Sequence, residues 1–200
     1  MLFNIFINDI VSNFNCSVLL YADDLKLYTR ITNVNDCHLL QSDLDSLVTW
    51  CENNHLYLNY SKCYILSFTL ANDLLNYNYK LNDHILSRLS QLKDLGVNFD
   101  TKLSFTEHVR LITSDAIKIL GYIIRNSSMI HNEATLKLLY YTYVRSKLEY
   151  ASLIWFSHFK TYQEMMENVQ RRFFKYLNFK IFKYYPSRGF FAQAILCYTT

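Results

Sequence analysis

Along the first hundred residues the apolar positions change period several times. Phe3, Ile7, Ile10 and Phe14 recur at three- and four-residue steps, the face of a helix over residues 2–13. A short apolar run, "SVLLY", fills residues 17–21. In residues 25–31, Leu25, Leu27 and Thr29 alternate with Lys26, Tyr28 and Arg30. Only Ala22-Asp23-Asp24 separates the two stretches, so the pattern predicts a β-hairpin with the acidic pair at its tip. Leu40, Leu44, Leu47 and Cys51 mark a helix over 36–52, with Asn33 or Asn35 as its N-cap. Beyond Asn53-Asn54, residues 55–59, 62–68, 77–86 and 93–99 read as strands, with a polar break at Ala71-Asn72-Asp73.

From residue 104 the period turns helical and stays so. Ser104 and Glu107 have the spacing of a capping box for a helix reaching about residue 127. Asn132 is placed to cap the next helix, whose apolar stripe is Leu136, Leu139, Tyr140, Tyr143 and Val144. Thr161 and Glu164 repeat the capping spacing before a last helix through Leu177. The expected class is α+β, with a mixed region over residues 1–100 and an all-α region over 101–200.

Composition sharpens this picture at three points. At 51% hydrophobic and 18% charged, the chain has the makings of a packed core and not of a disordered segment. With Gly at 3 and Pro at 1, its turns must be made by other residues. The charge is divided: residues 1–100 carry −5 and residues 101–200 carry +8, which fits a cation-binding half joined to a polyanion-binding one and equally fits a chance distribution. The 5 Cys show no C-x-x-C pair, which argues against a disulfide framework, and Cys51, His55 and Cys63 lack a fourth ligand at finger-like spacing. There is no basic leader and no apolar stretch of about 20 residues, so the expected location is intracellular, nuclear or cytoplasmic, without a membrane span.

The acidic tip carries the most specific chemistry. Asp is common in turns because its carboxylate bonds nearby amides. Here, however, the flanking strands are strongly apolar, so the pair is held at the end of a buried element. Two carboxylates so close repel each other, and a bound cation offsets that repulsion. Magnesium favours one or two carboxylates together with substrate phosphates. From the residues alone, a turn and a metal site both stay open.

Order and spacing add a resemblance. "LFNIFINDI", "LLYADDLKLY", "LYLNYSKC" and "LKDLGVNFD" follow one another as in the second half of a reverse transcriptase of the non-LTR (LINE-like) retrotransposon kind. "LSFTEHV", "LGYIIR", "LLYYTYVRSKLEYASLIW" and "VQRRFFKYL" resemble the segment that follows in such elements. The resemblance implies a partial polymerase palm, an antiparallel sheet with helices over residues 1–100, and a helical, thumb-like, basic region over 101–200. It implies RNA-directed DNA polymerisation by two-metal nucleotidyl transfer on Mg²⁺ or Mn²⁺, with an RNA template, a DNA primer and deoxynucleoside triphosphates as partners. Asp23 and Asp24 match the paired catalytic, metal-binding aspartates. Tyr21 and Ala22 match residues beneath the primer end and incoming nucleotide. Lys62 matches a position that contacts phosphate or protonates the leaving pyrophosphate, although an exposed edge Lys fits the same letters. Leu95-Gly96 matches the turn that grips the primer, where Gly lets backbone approach without a side chain. The family pattern also has fingers and a third carboxylate on an earlier strand. Neither is in this sequence, so the expectation is a fragment inactive by itself.

The C-terminal stretch offers a second reading. Residues 168–200 hold Arg171, Arg172, Lys175, Lys180, Lys183 and Arg188 without an acid, interleaved with Phe173, Phe174, Tyr176, Phe179, Phe182, Tyr184 and Tyr185. This suits phosphate contacts with base stacking, at Arg171, Arg172 and Lys175 in particular. It equally suits a helix with aromatics inside and cations outside. A remnant that binds nucleic acid without catalysis is the alternative function. The six His form no pattern, and Trp50 and Trp155 sit on apolar helical faces.

Overall fold

The computed structural model describes residues 2–70, 75–156 and 160–182. It forms two compact units, residues 1–92 and 93–200. The polar break at 71–73 and the basic positions Lys183 and Arg188, with Tyr184 and Tyr185, lie outside the described residues.

In the first unit, α1 (Leu2–Ile7) tightens into a 3-10 segment (Asn8–Asn13) and leads to β1 (Ser17–Tyr21) and β2 (Asp24–Tyr28). These strands pair antiparallel in the register Ser17 to Tyr28 and Tyr21 to Asp24. Helix α2 (Val34–Asn53) starts on a full capping box, with Asn33 accepting from the Asp36 amide and Asp36 accepting from the Asn33 amide. The hairpin turns Leu20, Leu25 and Leu27 onto Leu47, Val48, Trp50 and Cys51 of α2, together with Ile7 and Ile10. Each such side chain fully withdrawn from water contributes about 1.5–3 kcal/mol.

The remaining strands are short: β3 (Tyr64–Leu66), β4 (Lys80–Leu81), β5 (His84–Ile85) and β6 (Ser87–Leu89). They do not build the single antiparallel sheet expected from the sequence. The described strands form separate two-stranded pairs, and β3 runs parallel to β6. Residues 55–59 form no strand, although their burial alternates as a strand's would, with Leu56 and Leu58 inward. Apolar alternation sets which side chains meet the core; a ladder also needs a partner strand.

Next come β7 (Gln91–Asp94) and β8 (Val97–Asp100), neighbours in one sheet, and then α3 (Thr106–Asn126). The expected Ser104–Glu107 box does not form. The Asp100 carboxylate instead collects the amides of Lys102, Ser104 and Phe105 at 2.9–3.1 Å, and Glu107 pairs with Arg110 at 2.9 Å. A carboxylate is the stronger acceptor, so it outcompetes the Ser hydroxyl. Asn132 does cap α4 (Glu133–Tyr140), accepting from the Thr135 amide. A π-helical segment (Tyr141–Arg145) joins α4 to α5 (Ser146–Glu149), and α6 (Ser152–Trp155) follows. Thr161 already lies within α7 (Lys160–Phe182) and so does not act as its cap.

The second unit's core lies between α3, the α4–α5 rod and α7. Ala116, Leu120 and Ile123 meet Leu136, Tyr140, Val144 and Leu148, and Val169, Phe173 and Leu177 close it. Tyr140 and Phe173 stack with centroids 4.1 Å apart and planes 9° from parallel. A smaller cluster of Val97, Val109 and Trp155 seats β8 on α3.

Candidate functional site

The first hairpin is anchored at its base by a residue the sequence reading passed over. Asp43, on α2, is 1% exposed. It accepts from the Asn15 amide at 3.0 and 3.1 Å, the Asn15 side chain at 3.0 Å and the Cys16 amide at 2.8 Å. Burial raises its proton affinity, but these donors outweigh burial and hold the carboxyl below its ordinary value. Burial, followed by the hydrogen bond to Asp43, pushes the Cys16 thiol up to about 12. An Asp on an otherwise apolar helix face was the available clue, since buried carboxylates are rarely left unpaired.

At the other end, the tip is one residue shorter than expected. Because Asp24 pairs with Tyr21 inside the ladder, only Ala22 and Asp23 form the loop. Ala22 has φ 54°. A two-residue hairpin with positive φ at its first position usually places glycine there, and a residue with a Cβ costs about 1–2 kcal/mol in the left-handed region. Such strain collects at functional sites, where the surroundings enforce it. Asp23 and Asp24 are both exposed, and among the described residues neither side chain has a hydrogen-bond or ion-pair partner. Tyr21, 65% exposed, stands beside them.

The donor set suits a hard divalent cation in kind: carboxylate oxygens, fixed to a strand end and free to take a ligand. No group of three His, Cys, Asp or Glu able to hold a metal occurs among the described residues, and Cys51, His55 and Cys63 form none.

Lys62 ends a 3-10 turn (Tyr60–Lys62) built on Asn59, whose carbonyl accepts from the Lys62 amide at 2.9 Å. Its side chain is exposed. No hydrogen bond or ion pair joins it to the acidic hairpin among the described residues.

In the second unit, Leu95 and Gly96 form the two-residue turn between β7 and β8, with φ 43° and 85°. Positive φ at both positions is the type I′ pattern. Tyr150 donates its hydroxyl to the Leu95 carbonyl at 2.9 Å. A Cβ on Gly96 would lie 3.0 Å from the Tyr150 ring. Sequence reading assigned Tyr150 no role.

Along α7, Val169, Phe173 and Leu177 are buried, while Arg172 and Lys175 are exposed. Arg171 is paired with Glu167 at 2.8 Å. The acid lies one turn upstream of the stretch that reads as acid-free, within i,i+4 reach. Of the three cations singled out on this helix, Arg172 and Lys175 are exposed and Arg171 is paired with Glu167.

No helix among the described residues is long and apolar enough to cross a membrane. A family model described as reverse transcriptase (RNA-dependent DNA polymerase) matches residues 1–124. No curated protein and no solved structure matches the chain.

Proposed function

The chain belongs to the reverse transcriptase (RNA-dependent DNA polymerase) family, and from that premise we propose that it forms part of the palm and the thumb-like region of a non-LTR retrotransposon polymerase. The observation that carries this reading is the hairpin tip: a strained Ala22 presents two exposed carboxylates, Asp23 and Asp24, on strands locked to a helix. In this reading Asp23 and Asp24 hold Mg²⁺ or Mn²⁺ together with the phosphates of a deoxynucleoside triphosphate. The bound metal supplies activation of the primer hydroxyl and charge stabilisation at phosphorus.

The protein's own part is positional. Tyr21 and Ala22 form the floor beneath the primer end, and the small Ala keeps that floor low. Lys62 offers a cation to the leaving pyrophosphate. Leu95-Gly96 hold the primer strand by their backbone. Arg172 and Lys175, on the exposed side of α7, meet the backbone of the RNA–DNA duplex, and Arg171 joins them when Glu167 releases it. The region up to residue 100 is assigned to the palm and the region from 101 to the thumb.

The test is Mg²⁺-dependent extension of a DNA primer on an RNA template. We expect extension when a separate palm fragment supplies the family's third carboxylate, and loss of at least about 100-fold in Asp23→Asn. A completed protein that extends no primer would overturn the catalytic reading. The exposed cations of α7 also favour a second reading, binding without chemistry. Under that reading, affinity for RNA falls with salt and is the same in Asp23→Asn and in the absence of Mg²⁺.

A further inference from the structure

The Leu95-Gly96 turn is held from outside by a side chain that no motif marks. Leu in the left-handed region is strained by about 1–2 kcal/mol, and such a conformation persists only where the surroundings enforce it. Tyr150 provides the enforcement. Its hydroxyl takes the Leu95 carbonyl at 2.9 Å, and its ring fills the space a Gly96 side chain would need, 3.0 Å from the Cβ position.

Tyr150 is itself fixed. Trp155, 1% exposed, donates its indole N–H to the Tyr150 carbonyl at 2.8 Å. Trp155 packs edge-on against His108, centroids 5.2 Å apart, and His108 Nδ1 accepts from the Asn98 amide of β8 at 3.3 Å. The turn and its outgoing strand are thus tied to the same helical corner.

The peptide group is planar and trans, so its carbonyl and its N–H point in opposite directions. Drawing the Leu95 carbonyl onto Tyr150 therefore turns the Gly96 N–H the other way. No described residue accepts from that N–H. A backbone N–H presented at a turn is a donor suited to phosphate oxygen.

We propose that Tyr150 is a positioning residue for polymerisation: it locks the Leu95-Gly96 peptide so that the Gly96 N–H meets a phosphate near the 3′ end of the DNA primer. The proposal rests on the reading of the chain as a reverse transcriptase with that turn on the primer. It makes Tyr150 act through the turn and not on the reacting atoms.

The experiment compares the full chain with Tyr150→Phe, which keeps the ring and removes only a hydroxyl. The NMR shifts of the Leu95 carbonyl carbon and of the Gly96 amide report the lock. Fluorescence anisotropy reports binding to two probes of the same sequence, a DNA primer with a recessed 3′ end on an RNA template and the blunt RNA–DNA duplex. In Tyr150→Phe we expect both signals to shift, and recessed-end affinity to be about three- to tenfold weaker, the effect of one net hydrogen bond. Blunt-duplex affinity should stay unchanged, and the thermal midpoint should fall by only a few degrees, the cost of one hydrogen bond.

Unchanged shifts at the Leu95 carbonyl and the Gly96 amide would overturn the lock. Shifted signals with undiminished recessed-end binding would make Tyr150 merely structural and overturn the proposal. Failure of the underlying reading has a different mark, a wild-type chain that does not distinguish the two probes, and it removes the primer role with it.

Discussion

The tips of the two hairpins, Ala22-Asp23 and Leu95-Gly96, both hold a non-glycine residue at positive φ, and they are enforced in opposite ways. The first is braced from below. Asp43 fixes the backbone just before β1, the apolar face of the strands lies on α2, and Asp23 and Asp24 themselves touch no partner among the described residues. The second is braced at the tip itself, by the Tyr150 hydroxyl and ring. A tip whose side chains must take a ligand has to be rigid without being covered. A tip that works through its backbone can be gripped from the far side. The difference in bracing follows from which atoms each tip offers.

Five measurements bear on this contrast. The largest effect is expected in Asp43→Asn. An Asn at this site cannot accept all the amides gathered there, and one of its own N–H groups would face them, so stability should fall by about 3 kcal/mol in urea unfolding. The acid profile provides a second check. Asp43 has its folded value below the ordinary 3.8, so its contribution is complete above about pH 4 and is lost as the pH falls through the folded value. Wild type should lose this increment in acid, and Asp43→Asn should not.

Gly96→Ala should cost about 2 kcal/mol, part from the positive φ and part from displacing Tyr150. In a Tyr150→Ala background the same substitution should cost about half as much, which a double-mutant cycle would read directly. If the cost is equal in both backgrounds, the grip at the second tip is not what holds it. Ala22→Gly should instead stabilise the first tip by about 0.5 kcal/mol, the relieved strain less the added freedom of the unfolded glycine. A lower melting point in that variant would mean that the first tip is not strained.

The smallest effect concerns His108. Burial, followed by the charge of Lys93, lowers its proton affinity below the ordinary 6.5. The unfolded chain then takes up a proton before the folded one does. Stability attributable to this group is full above about pH 6.5 and declines as the pH falls from there toward the folded value. A thermal midpoint that drops slightly between pH 7 and 5.5 in wild type, and less in His108→Gln, would confirm that the clamp includes this ring.

The sequence made the first hairpin visible because its two faces alternate cleanly, and the capping residues Asn33 and Asn132 because their side chains act locally. The length of the tip was hidden. Whether Asp24 belongs to the loop or the ladder depends on the register, and the register is set by Leu20, Leu25 and Leu27 meeting α2. Asp43, Asp100 and Tyr150 were also hidden, because each acts on amides or a carbonyl of another segment, and nothing in their neighbours' letters records it. Residues 55–59 show the reverse error, a strand's alternation without a strand's partner. The family was legible in order and spacing, and the bracing of the two turns was not.

The π-helical segment at Tyr141–Arg145 has a consequence for where Tyr150 ends up. Leu136, Tyr140, Val144 and Leu148 are all buried, and they are spaced by four residues throughout. On a regular helix each residue advances about 100°, so a four-residue step overshoots a full turn by about 40° and three such steps by about 120°. The wide turn absorbs that drift and works as a phase corrector. Winding the same residues as an ordinary helix would instead rotate everything after them by about 100°. Leu148 would leave the core, and Tyr150 would swing off the azimuth from which it reaches the Leu95 carbonyl. The geometry of a two-residue turn is thus timed by a surplus residue some two helical turns before its clamp.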